Sequence, residues 1–294
     1  MRRLKQGLRV FRFAGKAAAA QHGVKRMPER ETNERKQFSE GQGGTRINKF
    51  LSEAGVCSRR EADRQIEAGN VTIDGRTAVA GDRVLSGQRI VFCGETVSRE
   101  EEMILLAFHK PRGIVCTAQK REKNNVVDYI HYPKRIYPVG RLDKDSEGLL
   151  LLTNNGDIVN KMMRAGNRHE KEYLVTVNKP VSDAFIRGLA GGVPLVELGV
   201  TTRKCRVERV GRKQFRIVLT QGLNRQIRRM CEYFGYRVQR LVRVRIMNIE
   251  LGNLQAGTYR NITEEEYIQL QNMIADSSNE PVRSRKISSA DSIV

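Results

Sequence analysis

Gly140-Arg141-Leu142-Asp143-Lys144-Asp145-Ser146-Glu147-Gly148-Leu149-Leu150-Leu151-Leu152-Thr153-Asn154 decides how this chain is read. Its second half is a short, intensely apolar run of the length that forms a buried strand. Its first half sets a carboxylate between two basic residues. Ionised groups do not follow a strand into a dry core unless they are paired. Asp143 is therefore expected in a loop at the edge of the core, beside a cation. There a carboxylate stays ionised and can be aimed at a substrate. The plainer alternative is a solvated loop aspartate in a weak surface ion pair.

Around this segment, strands are expected at Ile104–Phe108, Ile114–Thr117, Glu172–Val177 and Gln214–Thr220, from β-branching and alternation. Lys110-Pro111-Arg112-Gly113 reads as a turn. A helix is expected from Ser182, with Phe185, Ile186 and Leu189 inward. Thr263-Glu264-Glu265-Glu266 reads as a capping box opening a last helix, with Tyr267, Leu270 and Ile274 inward. Strands outnumber helices and mix with them irregularly, which predicts an α+β domain on a mixed, mostly antiparallel sheet.

Upstream, Ile47, Phe50, Leu51 and Ala54 recur at helical spacing and Gly55 closes the helix. Ser58-Arg59-Arg60-Glu61 reads as a capping box for a second helix with Ala62 and Ile66 inward, ending at Gly69. Val71 and Ile73 alternate into an Asp74-Gly75 hairpin turn. Two short strands are expected at Thr77–Val79 and Arg89–Phe92.

The chain has 294 residues and a formal net charge of +20, from 53 Lys or Arg against 33 Asp or Glu. That length has room for two domains. The charge points to a polyanionic partner, nucleic acid first and an anionic membrane surface second. No run of about 18 apolar residues is present, so no span is expected. The five cysteines are scattered, form no C-x-x-C pair and have no His at ligand spacing. They read as reduced packing residues, and no metal is expected. No Walker A or dinucleotide glycine pattern occurs, so no nucleotide cofactor is expected. Residues 1–44 hold eleven Lys or Arg against four Glu, with none of the acids before Glu29. This is a disordered basic tail, an organelle transit peptide, or the product of an upstream start with Met27 as the true initiator.

In Gln221-Gly222-Leu223-Asn224-Arg225-Gln226-Ile227-Arg228-Arg229-Met230-Cys231-Glu232-Tyr233-Phe234, one helical face carries Ile227, Met230, Cys231 and Phe234. Arg225, Arg228 and Arg229 are expected on the opposite face. This is either an ordinary amphipathic surface helix or an arginine cluster for phosphate and a carboxylate.

Gly-Arg-Leu-Asp followed by Ser-Glu-Gly and the Leu run closely resembles the signature of the RsuA/RluB/RluE/RluF family of RNA pseudouridine synthases. The resemblance implies that Asp143 is the catalytic nucleophile. Residues 221–236 resemble the family's third motif, which implies that Arg228 pairs with Asp143. Arg168-His169-Glu170-Lys171-Glu172-Tyr173 resembles its second motif, which implies that Tyr173 stacks on the target uracil. Lys110-Pro111-x-Gly113 matches the first motif, with a structural role and some RNA contact. Arg46-Ile47-Asn48-Lys49, residues 54–62 and residues 66–71 look like an S4 RNA-binding domain. The resemblances imply RNA contacts from Arg46, Lys49, Ser58, Arg59, Arg60 and Arg64. In the second domain they imply contacts from Lys110, Arg141, Lys144, Arg225 and Arg229.

The expected division is a disordered basic extension at 1–44, an S4-like domain at 45–97 and a linker at 98–103. A pseudouridine synthase catalytic domain follows at 104–276 and a disordered tail at 277–294. The motif wording fits the RluF branch of the family better than the RsuA branch, which implies 23S ribosomal RNA as target, with transfer RNA left open. A cytoplasmic monomer without cofactor or metal is expected. Asp143 attacks covalently or removes a ribose proton to give a glycal; both need an ionised carboxylate. The rivals are a non-enzymatic S4 assembly factor, which would lack the Asp/Tyr/Arg set, and a class I aminoacyl-tRNA synthetase, whose nucleotide-binding His and Lys-Ser motifs are not seen.

Overall fold

The structure, a computed structural model, describes residues 43–98, 102–117 and 121–277. The expected extension before Gly43, residues 99–101 of the expected linker and the expected tail beyond Ser277 lie outside the described residues. The chain divides into two units, Met1–Glu102 and Met103–Val294.

The first unit runs β1 (Thr45–Arg46), α1 (Ile47–Glu53), α2 (Arg59–Glu67), β2 (Val71–Ile73), β3 (Arg76–Thr77), β4 (Arg83–Val84), β5 (Ile90–Phe92) and β6 (Glu95–Val97). Ile47 and Leu51 of α1 and Ala62 and Ile66 of α2 pack on Val71, Ile73 and Ile90 of the sheet β3-β2-β5-β6. The Ser58 hydroxyl oxygen caps α2 by accepting from the Glu61 N–H at 3.1 Å. The return half of the expected capping box is not made, because the Glu61 carboxylate takes Arg64 and Gln65 instead. Asp74 and Gly75 both have positive φ, 50° and 83°. That is the backbone a two-residue hairpin needs to match strand twist. The strand expected to reach Val79 stops at Thr77, where the Val79 N–H turns to the Asp82 carboxylate at 2.9 Å.

The second unit opens with β7 (Leu105–Lys110), α3 (Val126–Ile130), β8 (Tyr137–Val139), β9 (Glu147–Thr153), α4 (Gly156–Met163), β10 (Lys171–Val177) and α5 (Asp183–Gly191). It continues with β11 (Pro194–Leu195), β12 (Val200–Thr201), β13 (Arg206–Gly211), β14 (Gln214–Leu219), α6 (Gln226–Tyr233), β15 (Val238–Ile246), β16 (Ile249–Glu250), β17 (Tyr259–Asn261) and α7 (Glu264–Ile274). Its main sheet has the order β13-β14-β10-β15-β9-β7-β17, with β16 on β15 and β8 on β9. The pairing of β9 with β15 is parallel and the others are antiparallel. The fold is α+β on a mixed, mostly antiparallel sheet.

The leucine run is central because both faces of β9 are covered. Leu149 and Leu151 pack with Ile158 and Met162 of α4 and Leu270 and Ile274 of α7. Leu150 and Leu152 pack with Ile114, Val126 and Ile136 on the other side. A strand buried on both faces has no polar positions to alternate with. All four leucines are 0% exposed. At about 1.5–3 kcal/mol each for full burial, they contribute roughly 6–12 kcal/mol as an upper bound.

The strand expected at Ile114–Thr117 does not form. β7 is already flanked by β9 and β17, so the segment after the turn has no open ladder to join. Val115 makes only an isolated bridge to Asn125. The Thr263 capping box is complete, with hydrogen bonds in both directions between Thr263 and Glu266.

Candidate active site

Where β9 enters the core, the chain turns sharply. The Ser146 N–H donates to the Asp143 carbonyl at 3.0 Å, closing a turn that presents the Asp143 side chain. Four neighbours pin this loop. The Gly113 N–H donates to the Lys144 carbonyl at 2.8 Å, and the Leu142 N–H to Cys116 Sγ at 3.3 Å. Arg243 of β15 donates from Nε to the Leu149 carbonyl at 2.7 Å and from Nη1 to the Arg141 carbonyl at 3.3 Å. Arg228 of α6 donates from Nη2 to the Asp145 carbonyl at 3.1 Å. Gly148 makes room for β15. Its φ is +110°, and a Cβ there would lie 2.6 Å from Arg243 N and closer still to the Arg243 carbonyl oxygen.

Asp143 lines a pocket of about 440 Å³ together with Tyr173, Arg228, Arg243, Lys171 and Arg164. That size is ordinary for small-ligand sites, roughly 300–1,000 Å³. Three segments far apart in sequence thus meet: the loop before β9, the start of β10, and the 221–228 turn into α6. Lys171 and Tyr173 project from one face of β10, two residues apart. Burial, reinforced by Arg243, pushes the Lys171 ammonium down to about 8.

Arg228 departs from expectation in two ways. It is 8% exposed and lies among the buried residues of α6, not on a solvent face with Arg225 and Arg229. Arg225 precedes the helix as its N-cap, with φ of +50°, which rotates it out of the helical wheel. Among the described residues, Arg228 hydrogen-bonds the Asp145 carbonyl, Ser146 Oγ and the Val238 carbonyl, and makes no ion pair with Asp143. Burial and Arg225 lower its pKa, while Asp143 and Asp145 act in the opposite sense, so a field from Asp143 is felt without a contact.

The expected RNA-contact residues divide. Arg46, Arg59, Arg60 and Arg64 are exposed on the first unit, as are Arg141, Lys144 and Arg225 on the second. Arg64 pairs with Glu61, Lys49 with Glu53, and Arg229 with Glu197. Lys110 is corrected outright. It is 0% exposed, and its ammonium donates to the Pro111 and Ile114 carbonyls at 2.8 and 2.9 Å. It clamps the turn that bonds Lys144 and is buried away from the surface. The cysteines are free thiols, and Cys93 is exposed where packing was expected.

Arg243, Lys171, Arg164 and Gln221 were not singled out from sequence. Arg243 had a signal: an arginine inside the alternating, β-branched run Leu241-Val242-Arg243-Val244. Lys171 stood in the second motif without a role.

The second unit sets a single carboxylate in a strongly basic pocket, which defines the class as an enzyme site suited to a polyanionic substrate. Residues 104–233 match the RNA pseudouridylate synthase family and residues 45–90 match the S4 domain. The chain belongs to that pseudouridylate synthase family, whose members isomerise uridine in RNA. It is 54% identical over 238 residues to the dual-specificity RNA pseudouridine synthase RluF of Salmonella typhi, covering 80% of this chain and 82% of that protein. It is 34% identical to the ribosomal large subunit pseudouridine synthase B of Bacillus subtilis, covering 77% of this chain and 95% of that protein. A crystal structure of a pseudouridylate synthase superposes with a TM-score of 0.57 at 28% identity, covering 77% of this chain and 99% of the other. Among the described residues no helix is long and apolar enough to cross a membrane.

Proposed function

We propose that the chain converts a uridine of large-subunit (23S) ribosomal RNA to pseudouridine, with Asp143 as the nucleophile, Tyr173 stacked on the uracil and Arg228 fixing the loop that carries Asp143. The observation that carries this reading is the meeting of those three side chains in one pocket from three distant segments. The target uridine leaves its stack to enter, at a cost of a few kcal/mol. The N1–C1′ bond breaks, the uracil turns against Tyr173, and C5 bonds C1′. C5 gives up its hydrogen to solvent and N1 takes a proton. Asp143 either attacks C1′ or removes a ribose proton, and both routes use the carboxylate in its ionised form. The reaction is a redox-neutral rearrangement that needs no cofactor or metal. Holding the freed base in the pocket supplies effective concentration worth several kcal/mol. Arg228, tied to the Asp145 carbonyl and Ser146 Oγ, acts on the loop and not by an ion pair.

The S4 unit supplies affinity through the exposed arginines of α2, Arg59, Arg60 and Arg64, which suit phosphate and RNA shape but not sequence. Ribosomal RNA is the first target because the Bacillus subtilis relative is a large-subunit enzyme by name. A transfer RNA is the second, since the relatives at 54% identity are named dual-specificity. We take the enzyme to work as a cytoplasmic monomer. Tritium release from RNA labelled at uridine C5 tests the reading, with 23S rRNA, 16S rRNA and a tRNA pool as separate substrates. Release from 23S rRNA is expected. Release from tRNA alone moves the target, and release from none of them, by a folded and RNA-binding protein, overturns the reading.

A further inference from the structure

The N-terminal end of α6 carries the wrong charge for a helix. Backbone N–H groups make that end positive, so acids favour it and cations are repelled. The helices α2, α4, α5 and α7 each hold at least one acid in the first turn. The first turn of α6 holds none; Arg225 is its N-cap, and Arg228 and Arg229 follow. Specific partners offset this. Arg228 is tied to the loop before β9. Arg229 folds back along the helix, the direction helical side chains take. It donates from Nε to the Asn224 carbonyl at 3.1 Å and from Nη2 to Asn224 Oδ1 at 3.5 Å. Its Nη1 pairs with Glu197, in the short turn Val196–Leu198 that joins β11 to β12.

Asn224 belongs to the pocket. Leu223, Asn224 and Arg225 line it together with Asp143 and Tyr173. Arg225 has a φ of +50°, a conformation that non-glycine residues keep only where their neighbours impose it. Two side chains of α6 tie down the residues just before it. Gln226 Oε1 accepts from the Leu223 N–H at 3.1 Å, and Arg229 grips Asn224. Each nitrogen of the Arg229 guanidinium thus has a partner within the unit, and the side chain is 24% exposed. A phosphate contact would compete with those partners. Glu197 is 77% exposed, and so open an ion pair contributes little to stability. Its effect is on where the guanidinium sits.

We propose that Arg229 is a positioning residue for the reaction and not an RNA contact: with Glu197 as its counter-ion, it sets the pocket wall formed by residues 223–225. This rests on the catalytic reading above and deepens it. The Glu197 carboxylate draws the guanidinium to the place where Nε meets the Asn224 carbonyl. Without that carboxylate, the positive end of α6 and the neighbouring Arg225 push the guanidinium toward solvent. The hairpin β11–β12 thereby reaches the pocket through one side chain. A wall free to shift changes how the flipped uridine lies against Asp143. That acts on turnover, and leaves RNA affinity to other cations of the surface.

The test is a double-mutant cycle on the full chain with Arg229→Met and Glu197→Ala. Two quantities are read: single-turnover tritium release at saturating RNA, and Kd for the same RNA across a range of salt. Arg229→Met should slow release about tenfold, as expected of a displaced pocket wall. Its Kd should change by less than about twofold, with an unaltered salt slope. Glu197→Ala should also slow release, although it makes the protein more basic and so should bind RNA no more weakly. The double variant should be no slower than Arg229→Met, because the two side chains act as one unit. Arg229→Lys keeps the charge but cannot hold Asn224 and Glu197 together, and should recover only part of the rate. Wild-type release with a weaker Kd and a shallower salt slope in Arg229→Met would make Arg229 an RNA contact and overturn the proposal. Losses that multiply would overturn the pairing. Should Arg229→Met unfold, Glu197→Ala decides alone, and a wild-type rate in that variant overturns the proposal. No release by the wild type from any RNA would instead sink the catalytic reading, so the two failures are separable.

Discussion

Replacing Arg243 with Met separates catalysis from stability at this site. The substitution deletes two charge-assisted hydrogen bonds, to the Leu149 carbonyl at 2.7 Å and the Arg141 carbonyl at 3.3 Å. Such bonds are worth about 1.5–3 kcal/mol each, or roughly 3–6 kcal/mol together. The same change removes a buried guanidinium, whose desolvation costs several kcal/mol. Met fills comparable apolar volume, so the two effects largely offset, and urea denaturation should show a net change within about 2 kcal/mol. Activity has no such compensation. The Arg141 carbonyl is two residues from Asp143, and a loop freed to shift by about 1 Å costs on the order of 100-fold in rate. That corresponds to about 2.7 kcal/mol of activation free energy. Tritium release at saturating RNA should therefore fall about 100-fold in a variant that is still folded. Arg243→Lys, able to reach one carbonyl, should lie between. Wild-type turnover by folded Arg243→Met would refute the anchoring role.

Lys171→Met should alter stability in a pH-dependent way. With the folded pKa near 8 and the unfolded one near 10.4, the unfolded chain binds more protons between those values. The Lys171 contribution thus rises with pH from about 8 to about 10, by roughly 3 kcal/mol at most. The variant's stability advantage over wild type, followed by denaturant titration at pH 7.5 and 9.5, should shrink at the higher pH; an advantage that does not change contradicts the burial of that ammonium. Gly148→Ala must place a Cβ 2.6 Å from Arg243 N at a φ of +110°, so the parallel β9–β15 junction should open. Thermal melts should show a loss of at least 3 kcal/mol, combining left-handed strain with a backbone overlap. Arg59→Gln, Arg60→Gln and Arg64→Gln together should raise KM for RNA and flatten its salt dependence, by about 0.7 log units per log salt for each lost contact to single-stranded RNA, while kcat stays unchanged.

Much of this molecule was legible from short-range signals. The four leucines announced a strand buried on both faces, and the Asp74-Gly75 pair announced a hairpin, because both depend on a few adjacent residues. The helix start at Ser182 and the capping box at Thr263 were readable for the same reason. What escaped was tertiary. Ile114–Thr117 has the composition of a strand but found β7 already paired on both sides. Lys110 reads as a surface cation, yet its stem is buried and its ammonium is spent on two carbonyls of its own turn. The helical wheel set Arg228 with Arg229 opposite the apolar face, but Arg228 lies on the flank beside Cys231, and the loop carrying Asp143 covers that flank. Arg243 was hidden for a related reason. An arginine in an alternating strand reads as outward-facing, and only the folded sheet shows that its side chain turns under the loop carrying Asp143.

The central claim is that Asp143 performs the chemistry while other residues position it and the RNA. The most direct measurement compares wild type and Asp143→Ala for tritium release from C5-labelled 23S rRNA and for RNA affinity in the same buffer. The account expects release to disappear and affinity to change by less than about threefold, since one half-buried carboxylate contributes little to phosphate binding. Residual release at more than a percent of the wild-type rate by a folded Asp143→Ala enzyme would contradict it.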